Sequence, residues 1–316
     1  MIGELLNRTL RPLGFRLERI KPKGGAITTI AGKASSPWLE KLSASPLDAG
    51  LHLEQARWLM AQGNPNAALA ESLTAAFLGA PMALCNALQQ EAEARTRPLL
   101  DIPHNRYYRL HSMAQAIKRM AAGEQVSVLD VGGGDGTLGR FLPGHQYCLA
   151  EPVVNGIAGE KLPFPPRSFD IVVSGHVLEH VPRDQRTLFL ERLVGQARRG
   201  VILLNPFHVE GVDEEERLRL VIRLSGAAWA REHLECVLPK VHEVEAFAHD
   251  RGLTCRVTPN GTMASTFGFV WVEYFARRAG DTKALHELNR YMNTRMMDHL
   301  DSEARPTAHL VEITGM

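Results

Sequence analysis

Ser127-Val128-Leu129-Asp130-Val131 runs without a break into Gly132-Gly133-Gly134-Asp135-Gly136, and then into Thr137-Leu138-Gly139-Arg140-Phe141-Leu142. That order predicts a short buried strand, a glycine turn and a helix. Glycines tolerate positive φ and let a ligand approach bare backbone, while a helix N-terminus offers unpaired N–H groups. The next apolar run, Gln146 to Ala150, predicts a second strand that ends at Glu151. A carboxylate at such a strand tip can accept both hydroxyls of a ribose. Turn and carboxylate together point to a cofactor that contains adenosine. Beyond this stretch, short apolar runs alternate with helical patterns, which predicts an α/β domain with a largely parallel sheet.

Gly134-Asp135-Gly136-Thr137-Leu138-Gly139 satisfies the dinucleotide pattern G-x-G-x-x-G, a weak signal alone. Asp130 speaks against NAD, because a carboxylate just before the turn would repel a pyrophosphate. The glycines also begin earlier, as Asp130-x-Gly132-x-Gly134-x-Gly136.

Val128 to Gly136 resembles the first motif of class I S-adenosylmethionine-dependent methyltransferases. Leu162-Pro163-Phe164-Pro165-Pro166-Arg167-Ser168-Phe169-Asp170, continued by Ile171 to Val181, is similar to the fourth-strand signature of that superfamily. Leu193 to Arg199, followed by Gly200 to Pro206, resembles its helix-then-fifth-strand step. Between Val128 and Pro206 the match is specific; beyond Pro206 it continues more loosely, toward a type 11-like bacterial branch associated with cell-surface glycans. The resemblance implies a doubly wound, Rossmann-like, mostly parallel sheet with S-adenosylmethionine as cofactor. It places backbone at Gly132, Gly133, Gly134 and Gly136 near the methionine part, with Asp130 close by and Glu151 on the ribose. Ser174, Gly175 and His176 would line the reaction centre. Glu179 and His180 read as braces of the loop after the fourth strand, and Asp170 as a turn or cap residue.

One departure has a physical consequence. Only residues 152–161 separate the ribose carboxylate from the Leu162-Pro163-Phe164 block, whereas a parallel crossover needs about a dozen residues or more. The third strand is therefore expected to be missing or vestigial. The acidic residue that meets adenine in relatives would align near Ala158, leaving Glu160 or main-chain atoms in its place.

The chain has 316 residues, 45% hydrophobic, with 36 basic against 35 acidic side chains and a net charge of +1. That apolar content excludes global disorder. Near-zero charge argues against a general nucleic-acid binder, which needs a basic stripe. No apolar run approaches the ~18 residues of a membrane span. Cys85, Cys148, Cys236 and Cys255 are scattered and form no Cys-x-x-Cys, so a reduced, cytoplasmic protein is expected.

Residues 1–40 read as a basic arm and linker, with Ile2, Leu5, Leu6, Leu10 and Leu13 at helical spacing beside Arg8 and Arg11. Such a helix docks on its own protein or lies peripherally on the inner, anionic face of a membrane. Residues 41–100 form an N-terminal helical extension, read as a hairpin over Leu51 to Gln90 in which Ala68, Ala75 and Pro81 resemble part of one tetratricopeptide repeat. A single copy cannot build a solenoid, so the hairpin reads as a cap or as a partner-docking surface. Residues 101–316 form the methyltransferase domain, with helical acceptor-site insertions about 208–250 and 262–304, near the last strands. The first insertion carries Trp229, Glu232 and His233.

The function expected is methyl transfer to oxygen of a small-molecule or glycan acceptor. A cofactor-fold binding protein and a dinucleotide oxidoreductase stand as alternatives. A base for a hydroxyl acceptor would be His176 first, then His208, then His233. Metal use is not expected, because His104, His111, His208, His233 and His242 show no ligand spacing.

Overall fold

In the computed structural model, residues 36–226, 228–297, 301 and 305–316 are described. The amphipathic stretch of the basic arm, residues 2–13, lies outside them. β1 (Ser127–Val131), β3 (Phe169–Gly175) and β4 (Ala197–Asn205) are near-continuous apolar runs, buried along almost their whole length, as central parallel strands covered on both faces must be. β2 (Gln146–Ala150) pairs with β1, and the parallel order continues β1 to β3 to β4. β6 (Ala308–Thr314) runs antiparallel between β4 and β5 (Thr254–Asn260), giving the order β2-β1-β3-β4-β6-β5. The strand order switches between β1 and β3, which run parallel, so the crevice at their C-terminal ends is where an open α/β sheet binds its ligand.

The expected loss of the third strand is observed. Between β2 and β3 lie one helical turn, α6 (Pro152–Asn155), and a 3-10 turn at Gly159–Lys161. β2 is consequently an edge strand.

The expected helix after the glycine turn is not there. Thr137–Phe141 forms a 3-10 turn only, because residues 132–145 are too few to carry a full helix across this face. The N-terminal extension covers that face instead. It holds three helices where a hairpin of two was expected: α2 (Ala49–Ala61), α3 (Pro65–Phe77) and α4 (Met82–Arg95). The first break is a glycine at φ +73° followed by Pro65 at the helix start, the pairing that stops one helix and opens the next. The short α1 (Leu39–Ala44) precedes them.

α3 lies directly on β2. Thr74 Oγ1 accepts the Leu149 N–H at 2.9 Å, which occupies an edge group that would otherwise invite another strand. Contact is possible because both sides are small: a Cβ on Gly136 would stand 2.2 Å from that of Ala70. One apolar core therefore runs through Leu69 and Ala70 of α3, Ile117 of α5 (His104–Ala121) and Leu138, Tyr147 and Val173. A second core, on the opposite face, joins Phe169 and Leu203 to α7 (Arg186–Gln196) and α10 (Val241–His249).

The late strands are interrupted by α8 (Glu214–Ser225) and α9 (Ala228–Glu235) before α10, and by α11 (Met263–Ala279) and α12 (Thr282–Arg295) between β5 and β6. α12 docks on the start of α5: Asn289 Oδ1 takes the His104 N–H at 3.1 Å, and Asn293 Oδ1 meets His104 Nδ1 at 2.7 Å. Among the described residues no helix is long and apolar enough to cross a membrane.

Asp170 sits within β3 rather than in a turn or cap. Its carboxylate accepts from the Ser127 N–H at 2.8 Å and from Arg198 Nε at 3.0 Å, latching β3 to the start of β1 and to β4. Burial opposes the charge, yet Arg198 and Ser127 hold the carboxyl at about 2. The stability it contributes is full above the unfolded value of about 4 and is lost as pH falls toward about 2. Asp170→Asn should therefore cost about 2 kcal/mol near neutral pH, and the difference from wild type should be roughly halved by about pH 3 in urea titrations.

Candidate active site

The glycine turn and the exit of β3 meet beneath α5. The Val177 side chain fills the space a Cβ on Gly132 would need, at 2.3 Å, and Gly133 backs onto the Asp130 carboxylate in the same way, at 2.2 Å. Gly134 differs. Its φ is +60° and nothing lies within 4 Å of where its Cβ would be, so bare backbone faces open space. The Gly134 N–H donates to Glu151 Oε2 at 2.9 Å. The turn and the carboxylate of the β2 tip are thus brought together. Glu151 is partly exposed, and burial raises its carboxyl above the ordinary value.

Asp130 is placed otherwise than beside an open cleft. It is 2% exposed and accepts from the Tyr147 hydroxyl at 2.6 Å. Burial raises it to about 7, so it braces the turn from below. Ser174 is fully buried, and its hydroxyl donates to Val131 O at 3.0 Å, tying β3 to β1. Gly175 gives way to Met113 Sδ, which would lie 3.0 Å from an added Cβ.

Behind Glu151 stands a buried polar chain. Asn155 Oδ1 accepts the Glu151 N–H at 3.1 Å, while its Nδ2 donates to Leu149 O and to Glu71 Oε1, each at 2.8 Å. Glu71 Oε2 lies 2.7 Å from His52 Nδ1, and both residues are fully buried. Desolvation lowers the His52 pKa, but the Glu71 hydrogen bond and charge outweigh it and the imidazole is raised overall. The N-terminal helices thereby hold the segment that carries Glu151.

At the end of β3 the backbone turns at His176, whose φ is +57°. A non-glycine residue there is costly, and such strain concentrates at functional sites. Its N–H donates to Leu204 O at 2.8 Å. Its Nδ1 lies 3.3 Å from Glu179 Oε1, and its Nε2 is buried with no hydrogen-bond partner. Burial, and then Arg109, lower the imidazole to about 4, so it is neutral at neutral pH. Burial pushes the Glu179 carboxyl up, His176 outweighs this, and the net shift is downward. Asn205, at the tip of β4, donates to Glu179 Oε2.

The fold brings His176 and His233 to one place, where the His233 charge acts on His176. His208 is not among them: it is exposed, with its N–H on Pro239 O at 2.9 Å. Sequence reasoning missed Arg106 and Arg109, although their three-residue spacing on a helix is a signal. Arg106 pairs with Asp135 of the turn and donates to Thr137 Oγ1 at 2.9 Å. Arg109 faces Glu179 and, desolvated, is lowered to about 10. It also missed that Glu179, His180 and His233 converge, their ligand atoms all within 4.8 Å of one another.

Residues 104–213, from the start of α5 past β4, match the family profile described as a methyltransferase domain. That is about a third of the chain. No match to a curated protein is found. In fold the chain is similar to YcgJ from Bacillus subtilis, with 17% identity over 65% of this chain and 98% of that one and a TM-score of 0.38. A SAM-dependent methyltransferase from Thermotoga maritima shares 12% identity over 67% and 94%, TM-score 0.40. Phosphoethanolamine N-methyltransferase 2 from Haemonchus contortus, solved with S-adenosyl-L-methionine, shares 16% over 64% and 51%, TM-score 0.42. Residues 104–213 thus carry the pattern of a methyltransferase domain.

Asn155→Ala would strand Glu71 Oε1 and Leu149 O inside the core without their donor. A loss of roughly 1–3 kcal/mol in unfolding free energy is expected, by the cost of leaving buried polar groups unsatisfied. Urea denaturation followed by circular dichroism measures it.

Proposed function

We propose that this protein transfers a methyl group from S-adenosylmethionine to an oxygen of a small-molecule or cell-surface glycan acceptor. The observation that carries the cofactor half is the contact between Glu151 and Gly134. It sets a ribose-binding carboxylate against an open glycine backbone at the crevice of the sheet. Gly132, Gly133 and Gly134 would hold the methionine part, Gly136 would close the turn, and Glu151 would take the ribose hydroxyls. The cofactor supplies a methyl already electrophilic on its sulfonium.

The acceptor half rests on the exit of β3. A hydroxyl is a poor nucleophile, and a neutral imidazole can take its proton. His176 has that state and is oriented by Glu179, with its Nε2 free of hydrogen bonds. His233 stands beside it; His208, exposed on its turn, keeps a role only at the rim. α8, α9, α11 and α12 are the elements from which an acceptor pocket would be built. On this reading residues 101–316 work as the catalytic unit with acceptor insertions about 208–250 and 262–304, in the cytoplasm. The basic arm of residues 1–40 would bring them to an anionic inner membrane surface, where glycan precursors are handled, and no nucleic acid takes part.

Glu151→Ala should weaken S-adenosylmethionine binding by about 10–150-fold in calorimetry, the worth of a charge-assisted hydrogen bond. His176→Ala should keep cofactor affinity and lose about 10²–10⁴-fold in turnover, the usual contribution of a general base. Methyl-labelled cofactor incubated with an envelope extract should place the label on glycan oxygen. Label on nitrogen or sulfur would overturn the acceptor class, and unchanged affinity in folded Glu151→Ala would overturn the cofactor site.

A further inference from the structure

The exit of β3 holds more ligand chemistry than methyl transfer from a sulfonium requires. Glu179 and His180 lie in the 3-10 turn Leu178–His180 directly after β3, and His233 comes from α9 of the first insertion. A carboxylate oxygen and one ring nitrogen from each histidine lie within 4.8 Å of one another. The two imidazole rings stand at 70°, with centroids 5.2 Å apart. A second, independent observation concerns the carboxylate. Glu179 is 1% exposed; Asn205 takes its Oε2, while Oε1 has only His176 Nδ1, 3.3 Å away and off hydrogen-bond geometry. A buried carboxylate oxygen so weakly partnered is costly, and a cation would satisfy it.

We propose that Glu179, His180 and His233 bind one divalent transition-metal ion of the zinc type. Two imidazoles and one carboxylate form a ligand set that leaves a position open to water or substrate. Bonds of about 2.0–2.2 Å in tetrahedral geometry put ligand atoms roughly 3.3–3.5 Å apart. Closing from the present separations takes little more than 1 Å, within reach of side-chain rotation, since His180 is exposed and His233 partly so. The surroundings suit such an ion. Cys236 Sγ lies 3.4 Å from His180 Nδ1 and Asn205 fixes the far carboxylate oxygen, as groups behind metal ligands commonly do. Arg109 and His176 act on Glu179 from the side of β3 and are the positive or proton-bearing groups an ion must share it with. Joined to the methyl-transfer reading, on which this last step rests, the ion would sit where the acceptor oxygen arrives and lower that hydroxyl's pKa as a Lewis acid.

The full chain, stripped with a chelator and dialysed, should take up one equivalent of Zn(II) in a competition titration. Co(II) in its place should give the intense visible bands of a four-coordinate site. His180→Ala and His233→Ala should each weaken binding by at least about tenfold, and Zn(II) should protect α9 from proteolysis in the wild type but not in the double variant. Both variants alter residues outside the apolar cores, so they keep the fold. Binding absent from folded wild type, or equal in wild type and in the double variant, overturns the proposal. No cofactor or acceptor is present in these titrations. Their failure leaves the methyl-transfer reading standing, and failure of cofactor binding leaves the metal site standing.

Discussion

The buried hydrogen bond between Glu71 and His52 is the contact on which the position of Glu151 depends. Removing a carboxylate from water costs several kcal/mol, and the cost is offset only if its oxygens are fully partnered. Here they are: His52 takes one oxygen and Asn155 the other. His52 is fixed in turn by Pro46 O at 2.9 Å, and Asn155 by Leu149 O and the Glu151 N–H. The pair cannot move without stranding a charge, so α2, α3, the end of β2 and α6 move as one body. Glu151 inherits its position from that body.

This arrangement answers a shortage of chain. The glycine turn leads to a 3-10 turn, and no third strand shields β2. A sheet built this way would expose one face and one edge. α3 covers the face through Ala70 against Gly136 and occupies the edge group through Thr74. Its small residues are what permit the close approach: Ala67, Ala68, Ala70 and Ala75 are all buried. The resemblance of this segment to a repeat has a plain physical origin, since alanine faces serve helix packing on any partner.

Much of this was legible along the chain because the signals were local. The glycine turn, the strands at Val128 and Ile171, the ten-residue gap that cannot hold a strand, and the final strand from Ala308 all follow from period, length and turn chemistry. The Asn260-Gly261 stop was equally plain, with Gly261 at φ +72°. What was not legible is long-range. Nothing in sequence spacing joins Glu71 to Asn155 across 84 positions. Asp130 looked like a cleft residue and is instead buried under Tyr147, two strands' side chains meeting beneath the turn. Glu179, His180 and His233 likewise converge only because α9 folds back over the end of β3.

α5 connects the two sides. Arg106 holds Asp135 in the glycine turn, and one turn later Arg109 faces Glu179 and His176 at the exit of β3. The N-terminal end of the same helix is gripped by Asn289 and Asn293 of α12. Asn260, at the tip of β5, adds a hydrogen bond to Ser112 at 2.9 Å. A rigid helix of 18 residues thus carries the position of the late insertions to both arginines. Any shift in α11 and α12 must reach Arg106 and Arg109 together, because they share one helical face. The glycine turn and the His176 imidazole at the exit of β3 are in this way set by the same element. The alignment that the proposed in-line transfer demands would then be a property of the scaffold, with the insertions left to decide what enters.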